Sequence, residues 1–440
     1  MNKGILSVAA FILVSSFALC WADTNPRSLQ DETDGLFDVR LPSYGIPHND
    51  AIAEVQDLGE AVNAGASYLK GMQADITDDN AGNGTNGVDE NPDDPDDGGW
   101  DWVVAAPLFH HTASPSPTNL YGVTAMGIYR AYLQNSDPTY FIALQDAADR
   151  AVAVGPSLIR SAGDLIFLMK FDDLSENPGT TYMDAARAKY DGRIAYYGSA
   201  QALAEYIRDI RNSQGYPCGI IAWDIGAFVV AAQMLDDHFP GNNYGLDADA
   251  MAEVIYQDSF NDNPGYFDIV DDQGWDPGYG NANYWMYTLG ITGLLDAFVA
   301  ANVHTSEIPG LLAILAACRY SSGAYSYCYG ANTGDEDWQS TAYSVMALAG
   351  YDQPTYQSSV NETALWLAST QDASGGFVYS NGDHYPEIGG ECTAAMSYGQ
   401  DATEVPTLSE WGMLVMGLLL MTVGTVAVVR NRKVAVSRPA

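Results

Sequence analysis

The chain has 440 residues, with 56 Asp and Glu against 18 Lys and Arg and a formal net charge of −38. A surface of that sign repels phosphate backbones and excludes nucleic-acid binding as a function. It favours divalent cations and basic partners, and it suits an exported protein in a salty medium.

Residues 1–22 read as a signal peptide. Lys3 is a short positive region, Ile5 to Leu19 is an uncharged apolar run, and Cys20-Trp21-Ala22 offers small residues where a signal peptidase cuts. The run is short for a bilayer core of about 30 Å. Residues 23–50 form an irregular leader. Residues 51–400 are the body, long enough for one large or two ordinary domains. Of five cysteines, Cys20 leaves with the signal, and Cys218, Cys318, Cys328 and Cys392 remain, an even number in an oxidising compartment. Three pairings are possible. Sequence proximity favours Cys318–Cys328, which leaves Cys218–Cys392.

The body is Ala-rich, with apolar residues at i, i+3, i+4 spacing broken by Gly, Pro, Asn and Asp, and it predicts an all-α fold. Helices are expected over 52–73 and 119–134, 139–154 and 159–171, and 181–212 and 219–237. They continue over 247–260 and 281–302, 305–319 and 337–350, and 357–371 and 391–400. A repeated unit links them. Near the end it reads Ala364-Leu365-Trp366-Leu367, Gln371, Gly375-Gly376-Phe377, then Glu391-Cys392-Thr393-Ala394-Ala395. At the start it reads Ala66-Ser67-Tyr68-Leu69, Gln73, Gly98-Gly99-Trp100, then a helix from Asn119. Weaker copies of the turn are Gln214-Gly215-Tyr216, Gln273-Gly274-Trp275 and Ser322-Gly323-Ala324-Tyr325. About six such hairpins in one domain predict a closed ring with one helix of each pair inside, because closure buries the apolar faces an open stack exposes.

Within the first hairpin lies an acidic insertion, 75–101. Asp79, Asp89, Asp93, Asp94, Asp96 and Asp97 crowd it together with several Asn. Hard oxygen ligands at that density suit Ca²⁺, although EF-hand spacing is absent; a solvated charged loop is the alternative. No organic cofactor is expected.

On the repeated helix–Gly–aromatic–helix units the body resembles the prenyltransferase and squalene-cyclase repeat superfamily, an α/α toroid. That likeness implies a ring whose inner-helix N-termini share one mouth, but the fold hosts many activities and does not give function. Asp94-Pro95-Asp96-Asp97 matches the Asp-x-Asp-Asp acid motif of protonating terpene cyclases. It sits in a stretch whose composition alone would produce it, so cyclase-like activity is the least favoured reading. Cys328 lacks the Asp that precedes the zinc cysteine of prenyltransferases, His384 has no matching context, and the complement-like Gly-Cys-Gly-Glu-Gln motif is missing.

The mouth should collect Asn119, Tyr121, Trp223, Asn283, Tyr284, Trp285, Trp338 and Gln339 as ligand-binding residues, with Asp164 and Thr393 nearby. Aromatic rings beside polar groups suit a sugar or another polar ligand with a flat apolar face. Asp224, Asp337 and Glu391 could supply the acid and base of glycosidic cleavage. Ordinary helix caps and core aromatics are the competing explanation.

Residues 401–411 form a linker. Residues 412–429 carry no charge and are long enough to span a bilayer. The basic tail, 430–440, stays cytoplasmic by the positive-inside rule. Val405-Pro406-Thr407-Leu408-Ser409-Glu410-Trp411-Gly412, the apolar run and the basic tail together resemble the IPTL-type C-terminal sorting signal of Gram-negative bacteria, with Pro406, Thr407, Leu408, Trp411 and Gly412 as the motif. That resemblance implies an exosortase-like partner and a chain first tethered in the membrane, then displayed at the cell surface or released. Two functions remain open: a ligand-binding or interaction module, or an extracellular carbohydrate-active hydrolase or lyase.

Overall fold

The structure is a computed structural model. It describes residues 57–73, 98–100, 104–105, 120–153, 162–174, 180–213, 221–262, 287–327, 336–380 and 382–399. The helices are α1 (Leu58–Met72), α2 (Leu120–Asn135), α3 (Pro138–Ala153), α4 (Ala162–Leu174), α5 (Thr181–Tyr197) and α6 (Ala200–Ser213). They continue as α7 (Ile221–His238), α8 (Tyr244–Tyr256), α9 (Thr288–Ala301), α10 (Ile308–Ala317), α11 (Trp338–Thr370) and α12 (Pro386–Met396). Two antiparallel ribbons accompany them. β1 (Val104–Ala105) pairs with β4 (Asp383–His384), and β2 (Tyr325–Ser326) with β3 (Glu336–Asp337).

The inner helices α2, α4, α7, α9, the first half of α11 and α12 each pack on the next, and α12 packs back on α2, which closes the ring. Their composition explains the inside position. All residues of α12 are buried, as is the run Thr288 to Leu295 of α9, so no polar face is left for water. An outer helix such as α1 instead buries one stripe: Leu58, Val62, Gly65, Ala66, Leu69 and Met72. α11 serves both layers because it bends at Asp352, where Pro354 cannot continue the ladder and Asp352 Oδ1 accepts the Thr355 N–H at 3.3 Å.

Neighbouring inner helices meet backbone to backbone. A Cβ on Gly293 of α9 would stand 2.4 Å from the Ala222 carbonyl oxygen of α7, and one on Gly390 of α12 would stand 2.5 Å from the Thr124 Cα of α2. The repeated turns do the second joining job. Gln73 Nε2 donates to the Gly98 carbonyl at 2.9 Å and to Ala143 of α3 at 2.8 Å. Gln371 Nε2 donates to the Gly375 carbonyl and to Ala61 of α1, each at 3.1 Å. The same construction therefore ties α1 to α3 and, across the ends of the domain, the last outer helix to the first. Gly375 needs its glycine: φ is +90°, and a side chain would meet the Ala64 backbone at 2.5 Å. Trp100 and Phe377, the aromatics that follow, are buried, and Trp100 Nε1 donates to the Leu69 carbonyl at 2.9 Å.

Three expectations are revised. The helix expected over 181–212 is broken at Gly198, which takes φ 92° and caps α5 through a bond from its N–H to the Ile194 carbonyl. The last helix opens at Pro386 and not at Glu391, because Pro fits the first helical turn, where no N–H partner is needed. Neither favoured disulfide is formed: Cys318 and Cys392 are buried free thiols. Cys392 Sγ faces the Trp338 carbonyl at 3.7 Å inside the helix packing, and burial pushes the Cys318 thiol up to about 11. Cys218 and Cys328 lie outside the described residues. So do the signal peptide, the leader, the Asp-rich insertion apart from Gly98–Trp100, the sorting motif and the expected span 412–429. Among the described residues no helix is long and apolar enough to cross a membrane.

The helix contacts predict a contrast. Gly293→Ala should cost about 1–3 kcal/mol through overpacking. Gly71→Ala, on an exposed helix face with nothing within 4 Å of the new Cβ, should be neutral or stabilise by about 0.5–1 kcal/mol. Denaturant midpoints measure both; equal midpoints would contradict the backbone-contact account.

Candidate functional site

The first two turns of the inner helices converge, and polar side chains reach across the centre from helices that are not ring neighbours. From α7, Trp223 meets Tyr343 of α11 edge-on, with ring centroids 5.4 Å apart. Beside it, the charge of Asp224 is felt at Glu387 of α12. Glu387 and Glu391 stand one helical turn apart on the same face of α12. Gln339 Nε2 donates to Glu391 Oε1 at 3.2 Å, and Tyr343 also hydrogen-bonds this carboxyl. On the other side Asp164 of α4 accepts the Gly122 N–H of α2 at 2.6 Å through Oδ1.

Electrostatics follow from that crowding. Burial and then the charges of Asp224 and Asp164 push Glu387 up to about 8. Burial and then Glu387 hold Glu391 well above the carboxylate range, against the lowering effect of the Tyr343 and Gln339 hydrogen bonds. Asp164 rises to about 7 through burial, opposed by the Gly122 N–H and the Lys189 ammonium. Two like groups on successive turns of one buried helix face cannot both ionise cheaply, so at neutral pH the pair keeps a proton. Glu391 is 2 % exposed, and its Oε2 has no hydrogen-bond partner.

Of the residues expected at the mouth, Trp223, Asp224, Gln339 and Glu391 come together. Tyr121 and Trp338 lie in the wall instead. Tyr121 is buried with the Arg150 guanidinium 5.8 Å from its ring centroid, and Trp338 donates from Nε1 to Thr370 Oγ1 at 2.9 Å and packs on Phe377. Asp337 is the N-cap of α11, where its Oδ2 accepts the Ser340 N–H at 2.7 Å, and its charge still raises Glu391. Thr393 is buried in the packing against Gly65 of α1. Asn119, Asn283, Tyr284 and Trp285 lie outside the described residues, as do Asp79, Asp89, Asp93, Asp94, Asp96 and Asp97. Among the described residues no three His, Cys, Asp or Glu side chains are arranged to hold a metal ion.

Sequence reasoning missed Glu387 and Tyr343. Glu387-x-x-x-Glu391 spacing was readable once the helix start was moved to Pro386. Tyr343 carried no signal, since tyrosine at helical spacing is ordinary core. In the sequence His384 has no zinc-ligand context. It is buried behind α12, edge-on to Tyr68 at 4.8 Å, and burial lowers it to about 3, so it is a neutral wall residue.

Residues 405–433 match the IPTL-CTERM motif, a C-terminal sorting signal processed by a sorting enzyme, so the chain is marked for export to the cell surface. No curated protein matches the chain. Among solved structures it is similar to a polysaccharide lyase, at 12% identity over 63% of this chain and 88% of that one, with a TM-score of 0.42. It is also similar to an unsaturated glucuronyl hydrolase specific for heparin, at 9% identity over 79% and 98%, TM-score 0.49. A third is the unsaturated glucuronyl hydrolase of Bacillus sp. GL1, at 12% identity over 78% and 95%, TM-score 0.44. At these identities and scores none bears on the chemistry of this chain.

A pH dependence follows. A carboxyl raised in the folded state binds its proton more tightly there than in the unfolded chain. Its contribution is greatest below the unfolded value near 4.3, and stability falls as pH rises from there through the folded value of about 8 for Glu387. Denaturant midpoints between pH 5 and pH 8 should decline, and Glu387→Gln should flatten that slope. An unchanged slope in the variant would remove Glu387 as its source.

Proposed function

We propose that this chain is a surface-sorted carbohydrate-active protein that hydrolyses glycosidic bonds at the centre of its ring. The observation that carries the reading is the proton-bearing pair Glu387 and Glu391, one helical turn apart, with the charge of Asp224 felt at Glu387 and the Trp223 and Tyr343 rings in contact beside them. The pair supplies the acid: a proton passes to the glycosidic oxygen as its bond to the anomeric carbon breaks. Asp224 supplies the base, taking a proton from the water whose hydroxyl completes that carbon. Tyr343 and Gln339 hold Glu391 in place, and the aromatic rings offer surface to the apolar face of a sugar. Asp337 is left to its capping role. The glycine–aromatic turns, which hold the outer helices together here, favour the prenyltransferase and squalene-cyclase type of toroid as its fold relative.

Ligand capture without turnover is the companion reading, and one assay separates the two. Incubation with a panel of oligosaccharides should release reducing ends. Asp224→Asn and Glu391→Gln should each lower the rate by about 10²–10⁴-fold, the range of general acid–base catalysis. The rate should also fall on the alkaline side, as pH rises through the value of about 8 to which burial and the neighbouring carboxylates raise Glu387. Binding with no reducing ends at any pH would leave capture as the function. Ca²⁺ held by the Asp-rich segment 75–101 is a separate proposal, resting on ligand density; millimolar Ca²⁺ should raise the melting temperature of the full chain.

Display at the surface has its own test. Replacing Pro406 and Thr407 with alanine should leave the chain in the membrane fraction and protect it from surface labelling; unchanged labelling would detach the motif from sorting.

A further inference from the structure

Each inner helix packs on its ring neighbours and on the outer layer, so only the face toward the axis is left partly open. The burial pattern draws that face. In 121–130 of α2 only Val123, Met126 and Arg130 are not buried, and in 162–170 of α4 only Gly163, Ile166 and Lys170. Spacing of i, i+3, i+7 makes each set a single stripe. Arg130 and Lys170 therefore face the lumen from neighbouring helices. Gly122 and Asp164 mark a common level, since a Cβ on Gly122 would stand 2.6 Å from the Asp164 Cα. At about 1.5 Å per residue Arg130 lies about 12 Å beyond that level and Lys170 about 9 Å, so the two cations sit side by side at the far end, away from the central carboxyls.

Among the described residues neither cation enters an ion pair. Asp296, the one residue of 288–298 that is not buried, faces the axis from α9, three places round the ring from α2, and pairs with neither. Asp173 is the acid whose charge is felt at Lys170, but it is exposed and stands 4.0 Å from His238 Nε2. Arg130 Nη2 donates to the Tyr398 hydroxyl, its guanidinium lies 4.2 Å from that ring's centroid, and its Nε is buried without a hydrogen-bond partner. Burial and then the Arg130 charge lower Lys170, as like charges held together away from water must. Neither residue stands in the last turn of its helix, where a cation would answer the helix dipole. With 56 acids against 18 bases in the chain, two adjacent cations without a carboxylate are not what composition produces.

We propose that Arg130 and Lys170 form a binding site for one phosphate group at the far end of the lumen. A phosphate monoester carries about −1.5 to −2 charges at neutral pH, which two cations balance, and its oxygens accept from a planar guanidinium and an ammonium together. A carboxylate would balance only one of them. The acidic exterior turns away polyanions, but its charges are screened beyond about 8–10 Å, and a single phosphate inside the ring meets the local pair. The source is free phosphate or the phosphate of a small molecule. The site does not depend on the centre being a glycan site.

The test is calorimetric titration of the full chain, purified in detergent, at fixed ionic strength with inorganic phosphate, acetate and glucose phosphate. Inorganic phosphate should bind saturably at one site and about 10–100-fold more tightly than acetate, the range of one further charge-assisted hydrogen bond. Lys170→Gln should weaken phosphate binding by about the same factor, and Lys170→Arg should restore most of it. Denaturant midpoints check that both variants fold, and the comparison of phosphate with acetate on the unaltered chain decides the matter if one does not. Glucose phosphate binding more tightly than inorganic phosphate would identify a small phosphomonoester as the ligand, and weaker binding would identify free phosphate. No saturable phosphate binding, acetate equal to phosphate, or an affinity unchanged in Lys170→Gln would overturn the proposal.

Discussion

Everything in this molecule depends on helices that touch backbone to backbone. At three junctions of the ring the inner helices approach more nearly than side chains allow, and glycines at the crossings permit it: Gly122 against α4, Gly293 against α7, Gly390 against α2. The outer layer is fastened by a different device, the Gln–Gly–aromatic turn, which places the amides of Gln73 and Gln371 between their own turn and the next outer helix. Because Gln371 reaches Ala61, the device that joins repeats also joins the two ends of the domain. Closure leaves no apolar end face to be covered, which a linear stack of the same hairpins would require.

Closure also sets the electrostatics of the centre. Helix starts brought together around one axis place whatever polar residues they carry within reach of one another and away from water. Here those residues are mostly acids. The outcome is a set of carboxyls that raise each other, tempered by a few donors: the Gly122 N–H at Asp164, Tyr343 and Gln339 at Glu391. Unlike an exposed acidic surface, which only sets solubility and attraction, a buried group of this kind stores protons at neutral pH and leaves acceptor atoms unmatched. Carboxyls shifted in this way cluster at sites that exchange protons.

Much of the fold was legible in the chain. The hairpin count, the inner and outer alternation and the repeated turn follow from periodicity and from glycine–aromatic spacing, since each turn is local and each helix advertises its buried stripe. The misreadings were also local. Gly198 interrupts what hydrophobic spacing presents as one helix, and Pro386 starts α12 a turn before the acidic residue that looked like its opening. The cysteine pairing failed for a different reason: an even count says nothing about distance, and Cys392 is enclosed by helix packing.

By itself the sequence determined the acidic charge, the sorting signal at 405–433 and the all-helical repeat, because composition, linear motifs and helical periodicity are properties of the chain read in order. Which acids act together was decided only by tertiary structure. Asp224 and Glu387 are far apart in the chain and lie on helices that are not neighbours in the ring; they interact because closure turns both toward the same axis. Asp337, equally acidic and equally well placed on paper, is held by the N–H of Ser340 instead. No linear pattern separates a carboxylate that caps a helix from one that faces the centre, since the difference lies in the side chain's direction once the ring has closed.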